Sequence, residues 1–290
     1  MKALLALRWL ASSLVLAFLC GCVTLTAEPR AVLSGPGASD SVTTLTCETA
    51  ARVLQSTASN DSEGALDGGD FRALVWNIHK EGDRGWERDL SSFAAANDVM
   101  LLQETVLQGS LRDILDKAGL RWIMASSFVY ETNDTGVLTA TRIAPVASCT
   151  QRMVEPLLRI PKSAVITWLR IKGRHDTLAI VNVHAINFDL FIDGYRAQFD
   201  AVARALAAHE GPILLAGDFN TWSDARDEVL AETAARLGMV ELGLRDDKRA
   251  VFYGRHLDHV FVRGLELIDL VAVPVSSSDH NPLVATLRFP

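Results

Sequence analysis

Residues 164–184, AVITWLRIKGRHDTLAIVNVH, contain two runs of strand-forming residues with a short polar stretch between them. Ala164–Ile171 and Leu178–His184 are rich in β-branched and aliphatic side chains over a length typical of strands. The residues between them are too few for the crossover helix that joins parallel neighbours, so the two strands must form an antiparallel hairpin. A purely parallel, doubly wound sheet is therefore excluded.

Similar runs recur along the chain and alternate with helical patterns. Further strands are predicted at Phe71–Ile78, Asp98–Leu102, Pro212–Phe219, Leu257–Val262 and Pro282–Arg288. Apolar residues three and four positions apart predict amphipathic helices at Trp86–Ala96, Leu107–Ala118, Tyr195–His209 and Ala225–Leu237. The combination predicts an α/β fold with mixed sheets.

Composition limits the function classes. The chain has 290 residues, of which 49% are hydrophobic and 22% charged, the proportions of an ordinary globular protein with one or two domains. Its 28 basic and 35 acidic residues give a formal charge of −7, which argues against a protein that wraps a nucleic-acid duplex. An enzyme that handles one phosphate with a bound cation remains compatible with this charge.

The N-terminal segment, MKALLALRWLASSLVLAFLCGC at 1–22, has the layout of a secretory signal, with Lys2 and Arg8 before an apolar run. Residues 19–22, LCGC, resemble the lipobox of bacterial lipoproteins, which implies cleavage after residue 21 and a lipid on Cys22. An ordinary signal peptide and an uncleaved anchor are the alternatives. We therefore expect an exported, membrane-anchored bacterial protein.

Three regions follow from this interpretation. Residues 1–21 form the signal, residues 22–70 a tether rich in Ala, Ser, Thr and Gly with one helical turn around Glu48–Gln55, and residues 71–290 the globular body. Val23 follows Cys22, which favours the outer membrane, on its periplasmic side. We expect a monomer.

Four cysteines, at positions 20, 22, 47 and 149, are too few for a scaffold built on disulfides. Export into an oxidising compartment would allow Cys47 and Cys149 to pair. The alternative is a buried thiol at Cys149 and an unused Cys47.

Polar side chains collect at the ends of the predicted strands. They are carboxylates, amides and imidazoles: Asn77, Glu104, His184, Asn187, Asp218, Asn220, Asp258, Asp279 and His280. Hard oxygen donors without a cysteine pair favour Mg²⁺, with Mn²⁺ or Ca²⁺ as alternatives, over structural zinc. No glycine-rich loop of the Walker type is present, so the pattern favours metal-assisted hydrolysis over nucleotide-driven phosphoryl transfer.

Six motifs carry a family resemblance. They are WNIHK at 76–80, LLQET at 101–105, NVHAINF at 182–188, AGDFNTW at 216–222, LDHVF at 257–261 and SSDHNPL at 277–283. In this order they resemble the motifs of the endonuclease/exonuclease/phosphatase superfamily, whose fold is a four-layer α/β/β/α sandwich of mixed sheets. The segment EPLLRIPKSAVIT at 155–167 looks most like the bacterial YafD-like branch.

The resemblance implies a role for each motif residue. Glu104 looks like the direct metal ligand, with Asn77 and Asp279 around the same ion. Asp218, supported by Asn220, resembles the residue that orients or deprotonates the attacking water.

The remaining motif residues would contact the substrate. His280 resembles the imidazole at the scissile phosphate, and Asp258 is its orienting partner. His184 is a candidate acid for the leaving oxygen, and Asn187 would support it or contact phosphate.

Other side chains are candidates for binding substrate. Lys80, Arg159 and Lys162 carry charges suited to phosphate, although loop cations are often only solvated. Trp222 is placed either to stack on a base or lipid or to fill the core.

Together the resemblance and the export signal predict a phosphodiesterase that uses an activated water. Nucleic acid, DNA or RNA, is the leading substrate class. The alternatives are a phospholipid phosphodiesterase of the sphingomyelinase type, an inositol or sugar phosphatase, and a non-catalytic binding module on the same fold.

Overall fold

A computed structural model of the protein describes residues 23–56, 64–189 and 191–290. The predicted signal and Cys22, the predicted lipidation site, lie outside these residues. Within the described ranges, no helix is long and apolar enough to cross a membrane.

Strands dominate the described chain. They are β1 Val23–Thr24, β2 Arg30–Ser34, β3 Ser41–Thr43, β4 Asp70–Asn77, β5 Val99–Val106, β6 Arg121–Tyr130, β7 Asn133–Thr141, β8 Ala147–Val154, β9 Pro161–Arg170, β10 Thr177–His184, β11 Ile213–Asp218, β12 Val240–Glu241, β13 Val251–Phe252, β14 Arg255–His256, β15 Asp258–Arg263, β16 Glu266–Ala272 and β17 Leu283–Arg288. The helices are α1 Cys47–Ser56, α2 Trp86–Ala96, α3 Gly109–Lys117, α4 Asp193–Ala205 and α5 Asp224–Leu237, and a 3₁₀ turn covers His79–Glu81.

Two mixed sheets face each other. The larger has the order β16-β17-β4-β5-β7-β6-β2-β3, with β1 also on β6, and the smaller has the order β12-β15-β11-β10-β9-β8. The antiparallel hairpin predicted from residues 164–184 is confirmed, since β9 pairs with β10 in a register that places Ile166 opposite Val181. In each sheet one central pair is parallel, β4 with β5 and β10 with β11.

The unbroken apolar run of β10 follows from burial on both faces. Leu178 and Ile180 point into the core between the sheets, whereas Val181 and Val183 point outward beneath the helices. Each such side chain contributes about 1.5–3 kcal/mol on burial.

Helices cover the outer face of each sheet. On the larger sheet, Trp86, Leu90 and Ala94 of α2 pack against strands β4 and β5. On the smaller sheet, α4 and α5 supply Phe199 and Leu230 to the outer core, which α1 also joins. The four-layer α/β/β/α sandwich is therefore confirmed.

The prediction that residues 22–70 form a tether is wrong for much of this segment. Strand β2 pairs with β6 and buries Ala31 and Val32. The helical segment predicted around Glu48–Gln55 is confirmed as α1, which is one residue longer at each end. A disulfide joins Cys47 on α1 to Cys149 on β8. Pairing with β6 and the cross-link hold a segment whose sequence has little apolar periodicity, so the folded body begins well before residue 71.

Candidate active site

The polar strand ends converge where the two sheets meet. Asn77 ends β4, and Glu104 lies close to the end of its parallel neighbour β5. Opposite them, the smaller sheet aligns His184, Asp218 and Asp258 in one row across β10, β11 and β15. Register alone thus brings residues far apart in sequence to one end of the sandwich.

Asp218 is the hub of this cluster. Its Oδ2 accepts a hydrogen bond from Asn77 Nδ2 at 2.9 Å, and its Oδ1 accepts one from the backbone N–H of Asn220 at 3.0 Å. Asn220 has a left-handed backbone with φ of 50° and donates its side-chain amide to the carbonyl of Ala185. The carboxylate is therefore held from both sheets.

The position before Asp218, residue 217, accepts only glycine. Its φ is 147°, and a Cβ at this position would lie 2.0 Å from the carbonyl oxygen of Val183. Only glycine allows β10 and β11 to approach this closely beside the site.

His280 and Asp258 form a buried pair. The ring Nδ1 lies 2.7 Å from Asp258 Oδ2. Burial alone would lower the pKa of His280, but the Asp258 carboxylate, with Asp218 and Asp279 nearby, raises that pKa to about 10. His280 is therefore an imidazolium at neutral pH, a state suited to binding a phosphoryl oxygen.

Glu104 carries the opposite charge. Burial would raise its pKa, but Lys80, Lys162 and His184 together hold it well below its ordinary value. The Lys80 ammonium contacts Glu104 Oε2 directly. An ionised carboxylate at this position is the group that a divalent cation requires.

His184 lies between the carboxylates and a lysine. Its Nε2 is 2.8 Å from Lys162 Nζ, 3.5 Å from Asp218 Oδ2 and 3.7 Å from Glu104 Oε1. Burial and the Lys162 ammonium lower the pKa of His184 to about 4, against the pull of the two acids. A ring with this pKa is unprotonated at neutral pH, and the role of His184 as the acid for the leaving oxygen stays a prediction.

The backbone next to the cluster is strained. His79, Lys80 and Glu81 have φ angles of 49°, 56° and 59°, and Glu104 has a φ of 52°. Left-handed backbone costs a non-glycine residue about 1–2 kcal/mol. Such outliers are often found at functional sites, where surrounding contacts hold them.

A divalent cation fits the donor chemistry at Glu104. The described residues contain no ready-made group of three His, Cys, Asp or Glu side chains that could hold a metal. The Glu104 carboxylate and the amide oxygen of Asn77 are nevertheless hard donors on neighbouring strands, and a cation, Lys80, already contacts Glu104. These two residues would hold the ion in exchange for the Lys80 contact.

The remaining predicted residues lie around this centre. Asp279 is largely exposed and has His79 Nδ1 at 3.9 Å from its Oδ1. The Asn187 carboxamide oxygen accepts a hydrogen bond from Trp222 Nε1 at 3.0 Å, so Asn187 shapes the loop wall. Arg159 is exposed in the β8–β9 turn, and the described residues provide no ion pair for it.

Comparison of the sequence with models of known protein families identifies the family of this chain. The model of the endonuclease/exonuclease/phosphatase family matches residues 74–280, which span both sheets and the cluster. The chain belongs to the endonuclease/exonuclease/phosphatase family. The resemblance identified from the six motifs is thereby confirmed.

Relatives with substantial identity match most of the chain. A UPF0294 protein of Yersinia pseudotuberculosis is 39% identical over 220 residues, which are 75% of this chain and 84% of that protein.

Solved structures of the family have the same fold. The endonuclease/exonuclease/phosphatase from Beutenbergia cavernae superposes with a TM-score of 0.58 at 16% identity, covering 76% of this chain and 72% of that one. The human nocturnin catalytic domain with a bound sulfate anion gives 0.58 at 16% identity, covering 78% and 96%. Family members are hydrolases of phosphoester bonds and are generally dependent on divalent metals.

Arg226 is a site residue that sequence reasoning missed. Its buried guanidinium lies between the rings of Tyr195 and Trp222, at 4.5 and 4.3 Å from their centroids. It also donates hydrogen bonds to three backbone carbonyls of the site loops, those of Ile186, Asn187 and Asn220. On an amphipathic helix rich in charges, nothing in the pattern separates this arginine from its solvated neighbours.

Proposed function

We propose that the protein hydrolyses phosphodiesters by in-line attack of a water molecule activated at Asp218. The observation that supports this most directly is the row of His184, Asp218 and Asp258 facing Glu104, with the His280 imidazolium beside Asp218. It combines a carboxylate held for a nucleophile with a cation placed for the phosphate.

Each side chain then has a distinct task. Asp218, held by Asn77 and Asn220, orients the water and accepts its proton. His280, held by Asp258, binds a phosphoryl oxygen and offsets its developing charge.

The other charged groups serve the substrate side. Lys162 supplies a second positive charge, and the neutral His184 fixes its position. Glu104 and Asn77 would hold Mg²⁺, or Mn²⁺ or Ca²⁺, and such an ion supplies Lewis-acid stabilisation of the phosphate when bound.

A substrate screen with matched variants tests this proposal. Purified protein with Mg²⁺ or Mn²⁺ is assayed on DNA, RNA, phospholipid vesicles, sugar phosphates and bis(p-nitrophenyl) phosphate. We expect Glu104→Ala and His280→Ala to reduce turnover by about 100-fold or more, as removal of single catalytic groups commonly does.

The control is His175→Ala, an exposed histidine in the turn between β9 and β10, at the end of the sheet opposite to His184. It should keep full activity. A protein without turnover on any phosphoester would contradict the proposal and favour a binding module. The screen also decides between nucleic acid, the class favoured by the resemblance, and the phospholipid and phosphomonoester alternatives.

We also propose that the protein is exported and anchored through a lipid on Cys22. The sequence of residues 1–22 and the Cys47–Cys149 disulfide support this location, since disulfides persist in oxidising compartments. Fractionation of bacteria grown with a radiolabelled fatty acid tests it: Cys22→Ser should lose the label and leave the membrane fraction. Label that persists in this variant contradicts the proposal.

A further inference from the structure

The described chain begins at the same end of the sandwich as the site. Val23 pairs with Tyr130 at the end of β6, and Tyr130 in turn pairs with Asn133 at the start of β7. Thr135 on β7 pairs with Val106, which lies two residues after Glu104 on β5. The turn between β6 and β7 therefore lies at the same end of the sheet as Glu104. Val23, which follows the proposed lipidation site in the sequence, therefore lies at the active-site end of the molecule.

Large apolar side chains protrude from three loops at this same end. Phe191, between β10 and α4, is 74% exposed; Tyr253, at the tip of the β13–β14 hairpin that leads into Asp258, is 72% exposed; and Leu157, between β8 and β9, is 55% exposed. Of the large hydrophobic side chains in the described residues, Phe191 and Tyr253 are the two most exposed. Exposure of this kind costs solubility and is expected where a surface contacts an apolar partner.

The backbone at Tyr253 strengthens this argument. Tyr253 and Gly254 have φ angles of 51° and 81° and form the tip of a two-residue hairpin. Asn or Gly is favoured at the first of these positions, and a bulky aromatic residue is disfavoured there. The Tyr253 ring contacts the Phe252 ring at 4.4 Å between centroids but stays 72% exposed, so this contact covers only a small part of it.

Two cationic side chains at this end of the molecule suit phosphate groups at an interface. Arg159, two residues after Leu157, is exposed, and Lys80 is half exposed beside Glu104. Acidic side chains such as Asp279 also lie at this end, so the contact depends on the apolar tips rather than on net positive charge. Aromatic rings with neighbouring cations are typical of protein segments at the membrane–water interface.

We propose that this end of the protein docks on a phospholipid bilayer through Leu157, Phe191 and Tyr253, with the active site facing the membrane. The substrate is then a phosphoester carried by a lipid, a conclusion that rests on the proposed hydrolysis. Isolated side chains on three separate loops fit a fluid lipid surface better than a second protein, which would need one continuous apolar patch.

Fluorescence quenching tests the docking without any assay of activity. The full chain is reconstituted into vesicles of phosphatidylethanolamine and phosphatidylglycerol whose acyl chains carry bromine. In Phe191→Trp and Tyr253→Trp we expect the added emission to fall at least about twofold, because interfacial segments reach about 5–10 Å into the headgroup and acyl boundary.

The matched control is Leu267→Trp. Leu267 is a 38% exposed apolar residue on β16, and it pairs with Leu287 beside the start of β4, at the opposite end of the sandwich. Its added emission should not be quenched by lipid. Equal quenching at both ends, no quenching at either, or shielding of Phe191 in a dimer without lipid would overturn the proposal.

A second measurement links docking to the substrate. Phe191→Ser combined with Tyr253→Ser should slow hydrolysis of vesicle phospholipid about tenfold or more, because it removes two large apolar side chains from the contact with lipid. Hydrolysis of the soluble bis(p-nitrophenyl) phosphate should not change. Equal loss on both substrates, or no loss on vesicles, refutes the lipid substrate, whereas inactivity of the parent protein on every phosphoester refutes the proposed hydrolysis and leaves the quenching result to decide the docking.

Discussion

Burial alone would lower the pKa of His280, and the Asp258 carboxylate does most to raise it, with Asp218 and Asp279 adding to the effect. In Asp258→Asn we therefore expect the pKa to fall well below about 10, so that the ring loses its proton at a lower pH. Turnover at pH 8 should fall about 100-fold, the size of effect that loss of one electrostatic stabiliser of the transition state commonly has. Titration of the imidazole by NMR measures the pKa directly.

The control for this variant is Glu241→Gln. Glu241 pairs with His259, the neighbour of Asp258 in sequence, at 2.6 Å. This change alters the partner of a histidine without touching His280. A titration of His280 that is the same in Asp258→Asn and in the parent protein would contradict the assignment.

Arg226 holds the loops of the site rather than the substrate. Replacing it in Arg226→Met leaves three carbonyls, those of Ile186, Asn187 and Asn220, without this donor. We expect the free energy of unfolding, measured with urea, to fall by about 3 kcal/mol, since each buried unsatisfied polar group costs about 1–3 kcal/mol and water replaces some donors.

Arg236→Met on the same helix is the matched control. Arg236 is half exposed and pairs with Asp200, so its loss should change the free energy of unfolding by less than about 0.5 kcal/mol. An equal decrease in the free energy of unfolding in the two variants would show that the buried contacts of Arg226 do not stabilise the protein more than a surface ion pair does.

At the scale of elements, strands with an unbroken apolar run were predictable, whereas buried strands with polar residues and very short strands were not. The runs of β9, β10 and β11 are continuous and apolar, and their predicted bounds agree closely with the structure. Strand β7, NDTGVLTAT, combines small polar residues with a glycine, and β2 is short, so neither has a clear period. Pairing with β6, which no local pattern encodes, forms both.

The site residues, like the strands, were predictable only where a local sequence pattern marks them. Residues at the ends of predicted strands, such as Glu104 and Asp218, were found because their strands were found. The contact of Lys162 with His184 joins two strands by register and changes the charge state of the ring. That coupling depends on three-dimensional distances, which motif spacing does not contain.

The left-handed turn His79–Glu81 predicts a pH dependence of stability. Glu81 is buried, which raises its pKa to about 7 although Val106 N–H and Gln108 donate hydrogen bonds to it. The folded state thus binds its proton more tightly than the unfolded state does. The contribution of Glu81 is fully present below about pH 4.5 and is lost as the pH rises through about 7, a change of up to about 3 kcal/mol.

Urea denaturation at pH 5 and pH 7.5 measures this change. Glu81→Gln keeps an oxygen for the Val106 N–H but cannot ionise, so the difference in unfolding free energy between the two pH values should shrink by about 2–3 kcal/mol relative to the parent protein. Glu87→Gln, at an exposed position on α2, should leave the difference unchanged. A difference that persists in Glu81→Gln would assign the pH dependence to other groups.

At the scale of the whole molecule, the two sheets bring acidic side chains together at one end of an already acidic chain. Buried amides of Gln103 and Asn182 join the sheets just below the site, with 2.6 Å between Gln103 Nε2 and Asn182 Oδ1. Above this bridge lie Glu104, Asp218 and Asp258. Their mutual repulsion is offset by cations, namely Lys80, Lys162 and His280. The net charge of −7 therefore does not indicate the electrostatic potential at the site, nor which ligand binds there.

This arrangement predicts that a divalent cation stabilises the entire fold. An ion that binds only the folded state adds about 2.7 kcal/mol to the free energy of unfolding at 100 times its dissociation constant. Mg²⁺ should therefore stabilise the parent protein against urea, and Glu104→Gln should abolish the effect. Lys80→Met should bind Mg²⁺ more tightly, because it removes the ammonium that competes for Glu104 Oε2. Stabilisation of equal size in Glu104→Gln, or weaker binding in Lys80→Met, would place the ion elsewhere and leave Lys80 as the permanent partner of Glu104.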